Sequence, residues 1–258
     1  RVVQGEEKNM KRTNPTDIFV ADKIFQLNSV HLNSFQNLSD LQGKVIVIYG
    51  HTGGIGKQIN AIASALGAKT YGFSRSNGFN IEAYDNAEDS LAQVFGQEKS
   101  IDYVVNAAAI MQMGALAAKT VNEIREEISI NYLGSINVVK ASIDFLGLSK
   151  GSIALFTSSS YTRGRAFYSI YSSTKAAIVN FVQAMAEELI AKQIRINAIN
   201  PERTATPMRL RNFGAEPAET LLTPEEVAYQ TLQVLLSPLS GQIIDIRKTM
   251  NDLPGGDG

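Results

Sequence analysis

The 258-residue chain contains no cysteine and only two histidines, His31 and His51. Without cysteine there is no disulfide, no thiolate nucleophile and no Cys-based metal site. Two imidazoles are too few to suggest a zinc site, so no metal is expected. No apolar run approaches the roughly 20 residues needed to span a bilayer, so no membrane partner is expected. The 24 basic and 25 acidic side chains nearly cancel, which gives a nucleic-acid role no support. The first residue is Arg1 rather than methionine. The chain therefore reads as a piece of something longer, and a leader ahead of it is not excluded.

What is present is alternation. Residues 45–49 form a short β-branched run that ends at Gly50, which reads as a buried strand. Residues 69–73, 102–105, 152–157, 194–199 and 242–246 read as further strands. Residues 55–66, 122–146, 172–190 and 224–236 read as helices, the second of them as one or two. Strands alternating with helices predict an α/β fold, a parallel sheet with helices on both faces. Ligands bind such sheets at the carboxyl ends of the strands. Residues 28–43 are polar and read as a linker. The Gly-rich end, residues 248–258, reads as a flexible tail.

The first strand runs into Gly50-His51-Thr52-Gly53-Gly54-Ile55-Gly56. A side chain on such a loop would keep the backbone from approaching a pyrophosphate, and the helix that follows offers its first N–H groups to negative charge. Glycine clusters also occur in ordinary turns; the position between strand and helix favours a nucleotide. An acidic residue at the end of the second strand would hold the ribose hydroxyls of NAD. Here that strand is followed by Ser74-Arg75-Ser76, and the planar fork of Arg75 suits a 2′-phosphate, so NADP(H) is expected. A solvated surface arginine is the alternative.

Tyr171 and Lys175 stand one helical turn apart. A lysine ammonium beside a phenol favours the phenolate, which would let the tyrosine exchange a proton with a carbonyl or alcohol oxygen. Alone, the pair is equally a surface pair with no role. Ser158 ends the preceding strand, where a hydroxyl would face the same cleft and polarise a carbonyl. Asn106-Ala107-Ala108-Ala109 closes the strand before it. Asn131, in Asn131-Tyr132-Leu133-Gly134, is either functional or solvent-facing.

Gly50, Gly54 and Gly56, the N-A-A-A at Asn106, the N-x-x-G at Asn131, Ser158, the Y-x-x-x-K at Tyr171, and Asn200-Pro201 followed by Thr206 occur in this order over residues 44–206. In this set the chain resembles the short-chain dehydrogenase/reductase family. The resemblance implies a Rossmann-type doubly wound sheet of about seven strands. It implies Tyr171 as proton donor, Ser158 as polariser, Lys175 on the nicotinamide ribose and Asn131 holding a relay water. It implies cofactor contacts from Gly50, Thr52, Gly53, Gly54, Ile55, Gly56, Ser74, Arg75, Asn80, Ile81, Asn106, Ala107, Ala108, Pro201, Thr204 and Thr206. Asn80 stands where the family more usually has Asp. Tyr49 departs from the usual threonine. Glu202 replaces a common glycine, which puts in doubt the backbone shape beside the nicotinamide. The family also implies a homo-oligomer, for which Ile178, Phe181 and Val182 are either interface or core. Dependence on a soluble cofactor favours the cytoplasm.

Arginines crowd the expected substrate end. Arg163 and Arg165 lie between Ser158 and Tyr171, and Arg203, Arg209 and Arg211 follow Pro201. A steroid or fatty-acyl substrate would call for an apolar lining; arginines suit a phosphate or carboxylate. Arg163, Arg165 and Arg203 are the candidates best placed, against solvated loop arginines as the alternative. Residues 5–17, with Asn9, Lys11, Thr13, Pro15 and Asp17, followed by Ala21-Asp22, resemble the end of a cytidylyltransferase. This divides the chain into a remnant of such a domain, fused upstream (1–27), a linker (28–43), a reductase domain (44–247) and the tail (248–258). A cytidylyltransferase end joined to a short-chain reductase resembles the bifunctional family that supplies CDP-ribitol for bacterial capsules. That implies NADPH-dependent reduction of a phosphorylated sugar, D-ribulose 5-phosphate, to D-ribitol 5-phosphate. Reduction of another ketone or an acyl thioester, or a non-catalytic NADP-sensing domain, are the alternatives.

Overall fold

The computed structural model describes residues 29–30 and 36–248. The cytidylyltransferase-like match at residues 1–27, His31 and residues 249–258 of the expected tail lie outside the described residues. Seven parallel strands form one sheet: β1 (Ser29–Val30), β2 (Val45–Tyr49), β3 (Lys69–Phe73), β4 (Tyr103–Asn106), β5 (Ser152–Phe156), β6 (Arg195–Pro201) and β7 (Ile243–Ile246), in the order β1-β7-β6-β5-β4-β2-β3. Six are substantial, and β1 adds a two-residue edge on β7. The helices are α1 (Gly54–Ala65), α2 (Tyr84–Glu98), α3 (Val121–Ile128), α4 (Gly134–Ser149), α5 (Ser169–Glu188), α6 (Pro207–Phe213) and α7 (Pro224–Leu236). The parallel α/β architecture is the one expected.

Alternation along each strand divides the core. Val45, Val47 and Tyr49 of β2 face a layer with Val138 of α4 and Ile178 and Val182 of α5. Ile46 and Ile48 face the other layer, with Ile59 of α1 and Leu232 of α7. A period of two sends neighbours to opposite faces, and both faces are covered, so β2 is apolar throughout. Ile178 and Val182 are thus core residues, and Phe181 packs partly buried against the same cluster. Leu38 and Leu41, inside the stretch read as a linker, are buried in the second layer.

The chain runs outward from β2 to β3 and then returns past β2 to β4. That reversal opens a crevice at the carboxyl ends of β2 and β4. Two helices went unread in the sequence. In α2, Ala87, Leu91 and Val94 are buried at helical spacing. In α6, Thr206 caps the Arg209 N–H and Pro207 takes the first helical position. The helix read at residues 172–190 begins three residues earlier, at Ser169, which brings Tyr171 into its first turn.

Candidate active site

A cleft of about 1040 Å³ lies along the carboxyl ends of the strands. One end is built of backbone. Gly50 has φ +77°, and a Cβ there would sit 2.6 Å from the Ala108 nitrogen; a Cβ on Gly56 would sit 2.3 Å from the Gly50 carbonyl oxygen. These two glycines let loops pack on each other, a different reason from the one expected. At Gly54 a Cβ would instead meet the Thr206 side chain at 2.9 Å. Gly53, the residue before helix α1, has no side chain to cap it, and the helix carries no acid in its first turn. Its leading N–H groups therefore face the cleft end without a side-chain acceptor, as an anion site requires. These features fit the pyrophosphate of a dinucleotide.

Of the sixteen residues expected to touch a cofactor, all but Asn106 line the cleft. Asn106 is buried behind it: its amide donates to Ser135 Oγ at 3.1 Å and accepts the Ala108 N–H at 3.1 Å. It shapes the turn and does not border the cleft. Arg75 borders the cleft with its side chain 70% exposed and 3.6 Å from Glu126. Asn80 accepts the Glu82 N–H and so opens a local turn. Ile81 packs where Gly134 leaves room; a Cβ on Gly134 would lie 2.9 Å from it. This is the structural use of the glycine in N-x-x-G. Tyr49, the departure from threonine, is fully buried, bonds Ser90 Oγ at 2.8 Å and packs on Phe73 and Phe79. Glu202 keeps a negative φ; its N–H bonds the Ile246 carbonyl and its carboxylate accepts the Lys248 N–H.

At the other end Ser158 and Tyr171 line the cleft, and their side chains are hydrogen-bonded. Lys175 and Asn131 stand behind them. Lys175 is buried and donates to the Phe156 carbonyl at 2.9 Å, with its ammonium 5.4 Å from the Tyr171 ring centre. Burial pushes the Lys175 amine down to about 8. Burial also pushes the Tyr171 phenol up to about 12, against the Ser158 hydrogen bond and with the Glu127 charge. The expected lowering of the Tyr171 pKa by Lys175 is therefore absent: desolvation wins, and the ammonium is turned to a carbonyl. Asn131 is buried, not solvent-facing. Its amide takes both the N–H and the carbonyl of Ile110, at 2.8 and 2.9 Å, from a π-helical turn at Ser129–Leu133. Such a turn widens the helix by one residue and is frequent at functional sites.

Arg165 and Arg203 line the cleft; Arg163, exposed two residues away, does not. Arg209 and Arg211 line it too. Arg209 forms a bidentate pair with Glu216 at 2.6 and 2.8 Å, and Arg203 lies 3.7 Å from the same carboxylate. Tyr168 and Phe213 also line this end, in edge contact with each other, and Tyr168 is in edge contact with Tyr171. Neither stands out in the sequence, because an aromatic at a helix end, Tyr168 before α5 and Phe213 closing α6, reads as ordinary packing. Among the described residues no helix is long and apolar enough to cross a membrane, and no group of His, Asp and Glu is placed to hold a metal ion.

The family model for the short chain dehydrogenases matches residues 76–216. The chain belongs to the short-chain dehydrogenase family. Among curated members it is 45% identical, over 95% of its length, to the bifunctional ribulose 5-phosphate reductase/CDP-ribitol pyrophosphorylase of Haemophilus influenzae. It spans only 52% of that protein. It is 25% identical, over 78% of its length, to carbonyl reductase family member 4 of Xenopus tropicalis, of which it covers 95%. In fold this short-chain dehydrogenase is similar to a 3-ketoacyl-(acyl-carrier-protein) reductase from Brucella melitensis complexed with NADH, with a TM-score of 0.73 at 22% identity over 80% of this chain and 97% of that one.

Proposed function

We propose that this short-chain dehydrogenase reduces D-ribulose 5-phosphate to D-ribitol 5-phosphate with NADPH. The observation that carries this reading is the cationic wall of Arg165, Arg203, Arg209 and Arg211 on the cleft that holds Ser158 and Tyr171. The relative from Haemophilus influenzae, whose name includes ribulose 5-phosphate reductase, accords with it. D-ribitol 5-phosphate is also the compound that a CDP-ribitol pyrophosphorylase, the relative's second named activity, would activate.

Residues 50–56 and the start of α1 would hold the pyrophosphate, and Arg75 the 2′-phosphate. NADPH, when bound, supplies the hydride. Ser158 and Tyr171 hold the substrate carbonyl oxygen, and Tyr171 donates its proton to that oxygen as negative charge develops there. A phenol kept protonated by burial suits a donor in the reductive direction. Lys175 lies behind the phenol and offsets the charge left on it, and Asn131 fixes the 110 segment beside the relay path. The arginine wall holds the phosphate and so aims the keto group at the Ser158–Tyr171 edge.

The test is NADPH oxidation with ribulose 5-phosphate, run beside xylulose 5-phosphate, fructose 6-phosphate and an acetoacetyl thioester. Ribulose 5-phosphate should give the highest kcat/KM. Tyr171→Phe should lower kcat at least about 10²-fold while NADPH affinity stays within a factor of about two. Faster turnover of the thioester would replace the reading with an acyl reductase. NADPH binding without reduction of any of them would replace it with a sensing domain.

A further inference from the structure

The mechanism leaves a buried ion pair unused. Lys119 Nζ lies 3.3 Å from Glu127 Oε2, and their side chains are 5% and 0% exposed. Glu127 Oε1 accepts the Gln112 N–H at 3.2 Å, and Lys119 donates to the Gln112 carbonyl. The Gln112 side chain in turn donates to Glu126 at 2.9 Å. One turn along the same helix, Asn131 takes the N–H and carbonyl of Ile110. Glu127 and Asn131 thus grip alternate residues of a segment that belongs to no strand or helix. That segment matters to the cleft: Ile110 and Met111 line it.

A buried ion pair is a poor way to gain stability. Desolvating two charges costs several kcal/mol each, and an apolar pair of similar volume is often as stable. What a charged pair offers is direction, since it satisfies both the N–H and the carbonyl of one residue. We propose that Glu127, neutralised by Lys119, is a positioning residue for reduction: it extends the Asn131 grip by one turn and fixes segment 110–112 as a wall of the catalytic cleft. The proposal rests on Tyr171 as proton donor and not on which ketone is reduced.

Two double variants separate charge from grip in the full chain. E127Q/K119M removes both charges, and with Lys119 the bond to the Gln112 carbonyl, and keeps an acceptor for the Gln112 N–H. Its kcat at pH 6.5 should stay within about threefold of wild type. E127L/K119M removes the grip as well. Its kcat should fall about tenfold at every pH while its unfolding midpoint stays within a few degrees of wild type. Full kcat in a folded second variant overturns the proposal. If the second variant does not fold, the first decides through hydrogen exchange at the 112 amide: full kcat with lost protection overturns the proposal, and full kcat with retained protection, or a fall in both, supports it. Active wild type with unaffected variants sinks this inference alone. Wild type inactive on ribulose 5-phosphate sinks the substrate reading. Hydrogen exchange at the 110 and 112 amides then decides the grip: protection equal to wild type in folded E127L/K119M overturns it, and lost protection supports it.

Discussion

At the end of the cleft formed by residues 50–56, the surface is backbone: glycines, a bare helix start and the loop of Ala107 and Ala108. At the end formed by residues 158–171 and 203–213, it is side chains: a phenol, two further aromatic rings and four arginines. The difference is one of tolerance. Backbone surfaces are fixed by chain packing, and an added methyl has nowhere to go. Side-chain surfaces change their chemistry one residue at a time without altering the loop that carries them. A fold that keeps a dinucleotide-type crevice and varies its substrates needs this division.

The sharpest way to break the comparison is to add a methyl at each end. Gly56→Ala places a Cβ 2.3 Å from the Gly50 carbonyl and 3.0 Å from its carbon, both backbone. Loss of at least about 10²-fold in NADPH affinity, or loss of the fold, is expected. Gly164→Ala, in the loop before Tyr171, meets nothing within 4 Å and should change neither NADPH affinity nor kcat beyond about twofold. Fluorescence titration with NADPH, beside circular dichroism to check folding, measures both. Equal effects at the two glycines would erase the distinction drawn above.

The backbone end was the more legible in the sequence, for the same reason. Gly50, Gly54 and Gly56 can be read because a close approach leaves one residue type, and the strand before them and helix after them are periodic. The substrate end was read only coarsely. Arg163 and Arg165 are two residues apart in one loop, yet only Arg165 lines the cleft; a turn's direction is not written in its composition. Asn106 lies behind the wall and Asn131 is buried, because a short polar side chain looks alike whether it meets solvent or a backbone turn. Glu127 and Lys119 were invisible, since charged residues on a helix and before it read as surface. Helix α2 was missed although its spacing was present, because acids and amides around Ala87, Leu91 and Val94 dilute the apolar face.

A second substitution sharpens the comparison within the substrate end. Arg165 borders the cleft half-buried, whereas Arg203 and Arg209 share Glu216. Phosphate must compete with that carboxylate for the latter two but not for Arg165. Arg165→Gln should raise KM for ribulose 5-phosphate about tenfold, the worth of one charge-assisted hydrogen bond at the low end of its range. Activity on unphosphorylated ribulose and the NADPH dissociation constant should not move. Steady-state kinetics on the two sugars reads the result; a matched loss on both would assign Arg165 to the loop's shape and not to phosphate.

Arg75 offers the smallest effect, because it is an arginine at the backbone end. Its guanidinium is mostly exposed, and Glu126 stands 3.6 Å away. Water screens a pair so open, and the pair itself contributes little. A 2′-phosphate would find a cation there that is already partly satisfied and strongly hydrated. Arg75→Ala should therefore weaken NADPH about three- to fivefold and leave NADH unchanged. The loss should shrink further as ionic strength rises from 0.05 to 0.5 M by order of magnitude, since the Debye length then falls to a few ångströms. Loss of a hundredfold at high salt would place Arg75 in a drier setting than its exposure gives it, and would make that end depend on a side chain as much as the other does.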